Sequence, residues 1–120
     1  MPKKILFVDD SASMRQIAGV SLKNAGFDVT TANDGADGVS KLSDRFDVII
    51  SDLNMPNMNG IEFIKAIKQS PQNKFSPIIM LTTESSGEMK KQGQSAGAKV
   101  WVVKPFKPEK LIAVLNKLIG

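Results

Sequence analysis

Five short apolar runs, separated by segments of helical periodicity, restrict the fold of this chain more than any other sequence feature. Most of the runs are continuous and rich in β-branched residues, which is typical of strands buried on both faces of a parallel sheet. In the second run Phe27, Val29 and Thr31 share one face, which favours an exposed edge strand. The runs occupy residues 5–8, 27–31, 48–50, 78–81 and 100–103.

A helix is predicted after each run, because the spacing of the apolar residues there changes to a helical period. The first is expected to follow Ser11, a favourable N-cap residue, and to stop at Gly26. Strand–helix alternation repeated five times predicts a single α/β domain with a parallel sheet and no second domain. The other predicted helices lie at about residues 35–43, 61–67 and 85–97 and from Pro108 to the end of the chain.

The fourth predicted helix differs from the others because it has almost no apolar face. Ser85 and Glu88 form a capping box and Gly97 is a suitable stop, yet Met89 is the only large apolar side chain between them. A helix that buries so little apolar surface gains little from tertiary packing. We therefore expect this helix to be mobile and of low stability.

Polar side chains follow four of the five predicted strands. Asp9 and Asp10 follow the first strand and Asp52 the third, while Thr82 and Lys104 follow the fourth and fifth. Ligands of open α/β sheets bind beyond the carboxyl ends of the strands, where these groups would meet. Taken singly, Asp10 is explained as an N-cap, Thr82 as a strand end and Lys104 as a solvated loop residue. Their coincidence at one edge favours a functional site.

Composition limits the chemistry of such a site. The chain has no Cys and no His, which excludes disulfides, thiolate zinc sites and the usual nucleophile–base pairs. Two carboxylates ~5 Å apart repel each other by roughly 3 kcal/mol at an effective dielectric constant near 20, so such a site either protonates one carboxylate or binds a cation. Oxygen ligands favour Mg²⁺, Ca²⁺ or Mn²⁺ over zinc or copper, and Mg²⁺ is the natural choice for a site that binds a phosphate. The sequence therefore predicts a Mg²⁺ site.

The net charge of +4 hides a difference between the two halves of the chain. Residues 1–60 hold eight acids and six bases, whereas residues 61–120 hold four acids and ten bases. With only Arg15 and Arg45 as arginines, this distribution argues against a nucleic-acid binder. The first apolar run is too short for a signal peptide or a membrane span, so we expect a cytoplasmic protein that does not bind membranes.

Four motifs give the chain a resemblance to a known family. They are residues 7–11 (FVDDS), 51–60 (SDLNMPNMNG), 77–82 (PIIMLT) and 103–106 (VKPF). In order and spacing they resemble the receiver domain of two-component response regulators, in particular the stand-alone chemotaxis (CheY-like) type. The resemblance implies a doubly wound (βα)5 flavodoxin-like domain over residues 1–120, with a five-stranded parallel sheet in the order 2-1-3-4-5 and no output domain.

The resemblance also implies a role for each polar residue at the strand ends. Asp52 would accept a phosphoryl group from the phosphohistidine of a sensor kinase. Thr82 would hydrogen-bond the phosphoryl group, and Lys104 would pair with it across a cis Lys104-Pro105 bond. The Mg²⁺ ligands would be Asp9, Asp10, Asp52 and the backbone carbonyl of Asn54.

Further positions would tune the lifetime of the phosphoryl group and the response to it. Asn54 and Glu84 would flank the path of the attacking water, unless Glu84 is an ordinary exposed acid. The residue after Thr82 is commonly small in the family but here is Thr83, which would narrow access to the phosphoryl group. Trp101 stands where the family has a switch Tyr or Phe, and it could alternatively be a partly exposed anchor on an edge strand.

The implied partners are a CheA-like sensor histidine kinase or a histidine phosphotransfer protein, and a downstream target such as the flagellar motor switch. The target would bind the face formed by the fourth helix, fifth strand and fifth helix. The protein would be a monomer that catalyses only its own phosphorylation and dephosphorylation.

A single-domain phosphorelay shuttle is an alternative function. A Mg²⁺-dependent aspartyl phosphohydrolase is disfavoured by Asn54, where such enzymes carry a second acid, and a flavin-binding relative by the charge of Asp9 and Asp10.

Overall fold

A five-stranded parallel sheet forms the centre of the fold. The computed structural model describes residues 2–83 and 86–119. The strand order is β2-β1-β3-β4-β5 and all four pairings are parallel, which confirms the predicted flavodoxin-like fold class and strand order. In chain order the elements are β1 (Lys4–Val8), α1 (Ala12–Asn24), β2 (Asp28–Ala32), α2 (Gly35–Ser40), β3 (Val48–Ser51), α3 (Gly60–Lys68), β4 (Ile78–Thr82), α4 (Gly87–Ala96), β5 (Val100–Val103) and α5 (Pro108–Ile119).

The sheet separates two apolar clusters. On one face Leu6 of β1 packs in a cluster with Phe63 of α3. On the other face Phe7 of β1 packs in a cluster with residues of α1 and α5, including Leu22 and Leu115. Strands β3 and β4 are buried along their whole length, as their continuous apolar runs predicted. The two clusters hold the carboxyl ends of the inner strands in fixed positions.

Helix α1 begins and ends at the predicted residues. The Ser11 side chain accepts a hydrogen bond from the Met14 N–H (3.3 Å). After the helix, Gly26 has a φ of 98°, and the Phe27 N–H donates to the Leu22 carbonyl (3.1 Å), as in a Schellman motif. Because Phe27 is part of this cap, β2 begins one residue later than predicted.

Strand β2 lies at one edge of the sheet, as predicted, but its buried residues differ from the prediction. Val29 is buried in the cluster with α1 and α5, and Ala32 in the cluster with α3. Thr31 was expected on the buried face with Val29 and is exposed instead. The strand therefore buries side chains on both faces.

Helix α2 ends at Ser40, not at Ser43 as predicted. In the turn that follows, the Leu42 N–H donates to Val39 O (3.1 Å), a tighter pattern than that of an α-helix. The Leu42 carbonyl accepts a hydrogen bond from the side-chain amide of Asn73 (3.0 Å). A hydrogen bond from Asn73, which is distant along the chain, thus satisfies a carbonyl that a further turn of helix would have used.

Helix α4 begins one residue later than predicted. Its N-cap is Ser86, whose hydroxyl accepts the Met89 N–H (3.2 Å), so the predicted cap at Ser85 is wrong. Ser85 itself lies outside the described residues. The predicted stop at Gly97 is confirmed, and Gly93 is the one buried residue within this fully described helix. The expected mobility of α4 stays a prediction.

Helices α3 and α5 follow the predicted pattern. Helix α3 begins after Asn59, whose side chain forms a reciprocal capping box with Glu62. Helix α5 begins at Pro108, the predicted first residue. Among the helices of the described segments, none combines the length and apolar character needed to cross a membrane.

Candidate functional site

Three carboxylates meet at the carboxyl edge of the sheet. Asp9 directly follows β1 and Asp52 directly follows β3, and the Asp52 N–H donates to the carbonyl of Val8 (2.9 Å). Asp9, Asp10 and Asp52 each place one carboxylate oxygen within 4.8 Å of the others. The predicted acidic cluster is therefore present in the fold.

Lys104 brings a positive charge into this cluster. Its Nζ lies 2.7 Å from Asp9 Oδ2 and 3.4 Å from Asp52 Oδ2, and little of its side chain is exposed. The Lys104-Pro105 peptide bond is cis, as the resemblance implied. The ammonium therefore links the ends of β1 and β3, although Lys104 itself follows the edge strand β5.

Asp9 is held from both its side chain and its backbone. One carboxylate oxygen accepts the Ser11 N–H (2.9 Å), and the backbone carbonyl accepts a hydrogen bond from Arg15 Nη1 (2.6 Å). The sequence analysis did not assign Arg15 to the site. The available signal was its position near the N-terminus of α1, where a cation is unfavourable unless it has an acceptor nearby.

Asp52 is buried, and its environment disfavours the charged form of its carboxyl group. Burial raises the pKa of Asp52 above its ordinary value, while the Lys104 ammonium opposes this rise and the charge of Asp9 adds to it. The Leu53 N–H donates to Asp52 Oδ1 (2.8 Å) and orients the carboxyl group. A cation close to Asp52 would therefore favour the charged form.

Gly60 allows helix α3 to approach the site closely. A Cβ atom at this position would overlap the backbone carbonyl oxygen of Asp52 and lie 2.9 Å from Leu53 Cα. The Gly60 N–H donates to the Leu53 carbonyl (2.7 Å). Gly60 ended one of the recognised motifs but was given no role, although a glycine at the start of a predicted helix was a signal of close packing.

The remaining predicted site residues lie around this centre. Thr82 is buried at the end of β4, and its carbonyl accepts the N–H of Lys104 (2.8 Å). Thr83 and Asn54 are exposed, the latter two residues beyond Asp52. Glu84 lies outside the described residues, so its predicted role is not tested.

Trp101 lies between the sheet and helix α4. It pairs with Met80 in the register of β4 and β5, is half-buried, and packs against the cluster on the α3 face. A Cβ atom on Gly93 would lie 2.5 Å from Trp101 Cζ3. The indole ring is thus a direct contact between β5 and α4.

The donor set fits a hard divalent cation. Three carboxylate oxygens within reach of one another suit Mg²⁺, which prefers oxygen ligands and retains several waters. The absence of His and Cys from the whole chain leaves no softer ligands that would favour zinc.

Comparison with known proteins shows similarity to one family over nearly the whole chain. Residues 5–116 match the response regulator receiver domain. The chemotaxis protein CheY1 of Helicobacter pylori (strain ATCC 700392 / 26695) is 38% identical over 120 residues, a match covering 98% of this chain and 97% of that protein.

Solved structures show the same similarity. The chemotaxis protein CheY4 of Vibrio cholerae has 50% sequence identity and a TM-score of 0.95, with 99% of this chain and 100% of that chain covered. The receiver domain of the sensor histidine kinase PA1611 of Pseudomonas aeruginosa PAO1 has 27% identity and a TM-score of 0.91, with 100% and 99% covered. That domain was solved with a magnesium ion coordinated in its active-site cleft.

Proposed function

The chain belongs to the response regulator receiver family, and from that premise we propose that Asp52 accepts a phosphoryl group from a phosphohistidine of a partner protein. The observation that carries this proposal is the meeting of Asp52 with Asp9, Asp10 and Lys104 at one end of the sheet. Phosphoryl transfer needs positioning and charge neutralisation more than covalent assistance. The chain contains no His, and in this reaction the histidine belongs to the partner.

In the transfer step an oxygen of Asp52 attacks phosphorus as the bond from phosphorus to the histidine nitrogen breaks. The Leu53 N–H orients the carboxylate, and the Lys104 ammonium offsets the negative charge of the incoming phosphoryl oxygens. The proposed Mg²⁺ ligands are Asp9, Asp10, Asp52 and the backbone carbonyl of Asn54. When bound there, Mg²⁺ would neutralise further charge on the phosphoryl group.

The response to phosphorylation would pass through Thr82 and Trp101 to helix α4. Thr82 lies at the end of β4 beside Lys104, and Trp101 contacts both β4 and α4. Movement of the Thr82 hydroxyl toward the phosphoryl group would open space for Trp101 and shift the weakly packed α4. The face formed by α4, β5 and α5 would then change its affinity for a partner.

Several finer features belong to the same proposal. The phosphoryl donor is a CheA-like histidine kinase or a histidine phosphotransfer protein. The protein that binds the phosphorylated form is a downstream target such as the flagellar motor switch. The protein acts as a monomer in the cytoplasm and catalyses only its own phosphorylation and dephosphorylation. Asn54 and Glu84 would set the rate of hydrolysis, and the exposed Thr83 would narrow access to the phosphoryl group.

The test is incubation with acetyl phosphate and Mg²⁺, followed by intact-protein mass spectrometry. The wild type should gain one phosphoryl group, and Asp52→Asn should gain none. Asp47→Asn is the matched control, because it removes an acid at the opposite end of the same strand. Equal labelling of Asp52→Asn and wild type would contradict the proposal. Turnover of p-nitrophenyl phosphate that is lost in Asp52→Asn would favour a phosphohydrolase instead.

A second experiment separates the two possible outputs. The protein is immobilised, activated with beryllofluoride and Mg²⁺, and used to retain proteins from a lysate of the source cells. Retention of a flagellar switch component supports control of motility, whereas retention of a histidine phosphotransfer protein supports the phosphorelay alternative.

A further inference from the structure

Phe75 is the most exposed large apolar side chain among the residues that the structure describes. It lies in the loop between α3 and β4 and is 87% exposed, compared with 56% for Ile17, the next in order. The loop is at the end of the sheet where the strands begin, opposite the carboxylate cluster. A single exposed apolar residue is common, so its surroundings decide whether it has meaning.

A groove of about 450 Å³ opens beside Phe75. Its walls include Phe75, Pro71 and Pro77, and the exposed Arg45 lies at its rim. The residue after Phe75 is fixed, because the Ser76 hydroxyl donates to the carbonyl of Phe46 (2.6 Å). The groove combines apolar lining residues with polar ones that include Gln72 and Asp47, and it has room for an apolar side chain.

The same end of the molecule carries more bases than acids. The loop residues that precede the strands include the exposed bases Lys3, Arg45, Lys74 and Lys99. We call these four residues together with Phe75 the basal surface. Lys68 at the end of α3 is explained by the helix dipole, whereas these four bases lie outside the helices. Arg45 pairs with Asp47 (2.9 Å), and Lys74 Nζ lies 5.2 Å from the centroid of the Phe75 ring.

Acids at this end offset only part of the positive charge. Asp28, Asp44 and Asp47 are the acids in the same loops and strand starts. The carboxylate of Asp47 already accepts hydrogen bonds from Arg45 (2.9 Å) and from the backbone N–H of Lys4 (2.8 Å). The loops at this end therefore keep a small excess of positive charge around the groove, which suits an anionic ligand.

We propose that the basal surface binds an acidic segment of a partner protein, which places one apolar side chain in the groove beside Phe75. A protein segment fits better than a lipid bilayer, because the apolar contact lies in a groove, which a single side chain can enter and a flat bilayer surface cannot fill. Carboxylates of the segment would pair with the surrounding bases, and its apolar side chain would fix the register.

This docking site is separate from the proposed phosphorylation site. Asp47 and Asp52 are five steps apart along the extended chain of β3, a separation of roughly 16 Å. The strand between them is buried along its whole length, and the two sites have no residue in common. We therefore expect binding at the basal surface to be independent of phosphorylation and to hold the protein close to an acidic partner in both states.

The test is an NMR titration of the full-length ¹⁵N-labelled protein with a synthetic peptide that carries two central leucines between blocks of glutamates. We expect saturable amide shifts that cluster at Arg45 and at residues 74–76. Phe75→Ser should weaken binding by about tenfold, as should replacement of the leucines by glutamate. Ile17→Ser, at an exposed apolar residue of α1, should leave the affinity unchanged.

Charge reversal provides the second arm of the test. Lys3→Glu combined with Lys74→Glu should abolish binding, whereas Lys90→Glu combined with Lys107→Glu, with the same net charge, should retain it. Saturation with beryllofluoride and Mg²⁺ should leave the affinity unchanged. The proposal would be overturned if the amide shifts centred on the α4–β5–α5 face. It would also be overturned by an equal loss of affinity in the two charge-reversed variants, or by binding to phosphatidylglycerol vesicles without binding to the peptide.

Discussion

The indole ring of Trp101 lies directly against the backbone of Gly93, with no room for a side chain between them. A Cβ atom at Gly93 would come within 2.5 Å of Trp101 Cζ3 and 3.1 Å of Cε3. Gly93 is also the one buried residue of the fully described helix α4. The position of α4 relative to the sheet is therefore set by a glycine–aromatic contact more than by an apolar helix face.

Gly93→Ala is expected to destabilise the fold by about 1–2 kcal/mol. Overpacking against the indole ring costs about 1–3 kcal/mol, and the better helix propensity of alanine returns at most about 1 kcal/mol. Gly87→Ala in the same helix is the matched control, because a Cβ there meets nothing within 4 Å. Urea unfolding measures the free energy of unfolding of both variants. A Gly93→Ala variant as stable as Gly87→Ala would contradict the prediction.

Trp101 fluorescence is expected to change when the protein is activated by beryllofluoride and Mg²⁺. Trp101 is the only tryptophan in the chain, so the signal reports on this position alone. Movement of the half-buried ring into the space opened by Thr82 would remove it from water and shift its emission to shorter wavelength. An unchanged spectrum, with binding of beryllofluoride verified by ¹⁹F NMR, would show that Trp101 is a static anchor.

Lys104→Gln is expected to bind Mg²⁺ about tenfold more tightly than the wild type, equivalent to about 1.4 kcal/mol. The substitution removes an ammonium that lies 2.7 Å from Asp9 and 3.4 Å from Asp52, and so removes a cation that competes with the metal. Calorimetric titration with Mg²⁺ measures the change, with Lys107→Gln as the control. Weaker Mg²⁺ binding in Lys104→Gln would show that Lys104 orients the carboxylates rather than competing for them.

Asn73→Leu is expected to destabilise the fold by about 3 kcal/mol. The fully buried Asn73 side chain accepts the Phe46 N–H (2.8 Å) and donates to the carbonyls of Leu42 (3.0 Å) and Asp44 (2.7 Å). Leucine would leave these backbone groups without partners, at about 1–3 kcal/mol for each buried group. Thermal unfolding measures the loss, and the exposed Asn116→Leu should unfold close to the wild-type temperature.

Asp47→Asn is expected to lose stability at neutral pH but not in acid. Burial alone would raise the pKa of Asp47, but the Lys4 N–H and the Arg45 guanidinium outweigh it and hold the pKa below the ordinary value of 3.8. Asp47 therefore contributes stability that is present above pH 3.8 and is lost as the pH falls through the lowered pKa. The difference in unfolding free energy between wild type and Asp47→Asn should narrow over that range. A difference that does not vary with pH would contradict this account, and Asp28→Asn provides an exposed control.

The strands and the acidic end of the sheet could be predicted because their signals are local. Continuous apolar runs identified β3 and β4, and parallel strands necessarily bring their carboxyl ends together. The presence of Asp9 and Asp52 in one cluster followed from that geometry. The strand order itself came only from the family resemblance.

The features that the sequence left undetermined depend on partners distant along the chain. The end of α2 is set by Asn73, which takes the carbonyl of Leu42 from another loop. Gly60 and Gly93 are required by the Asp52 carbonyl and the Trp101 ring, neither of which a helix pattern reveals.

The strand order has a consequence for how such a protein can diversify. Asp52 follows the central strand β3, whose neighbours on both sides are fixed by paired backbones. Trp101 and the α4 contact belong to the margin of the sheet, on β5, where only one side is paired. Substitutions at the margin can therefore change the contact between β5 and α4 while Asp9 and Asp52 keep their positions, provided that Lys104, which also follows β5, keeps its contacts with both. Under the proposed function, the same phosphoryl-transfer reaction would then be compatible with many different recognition faces.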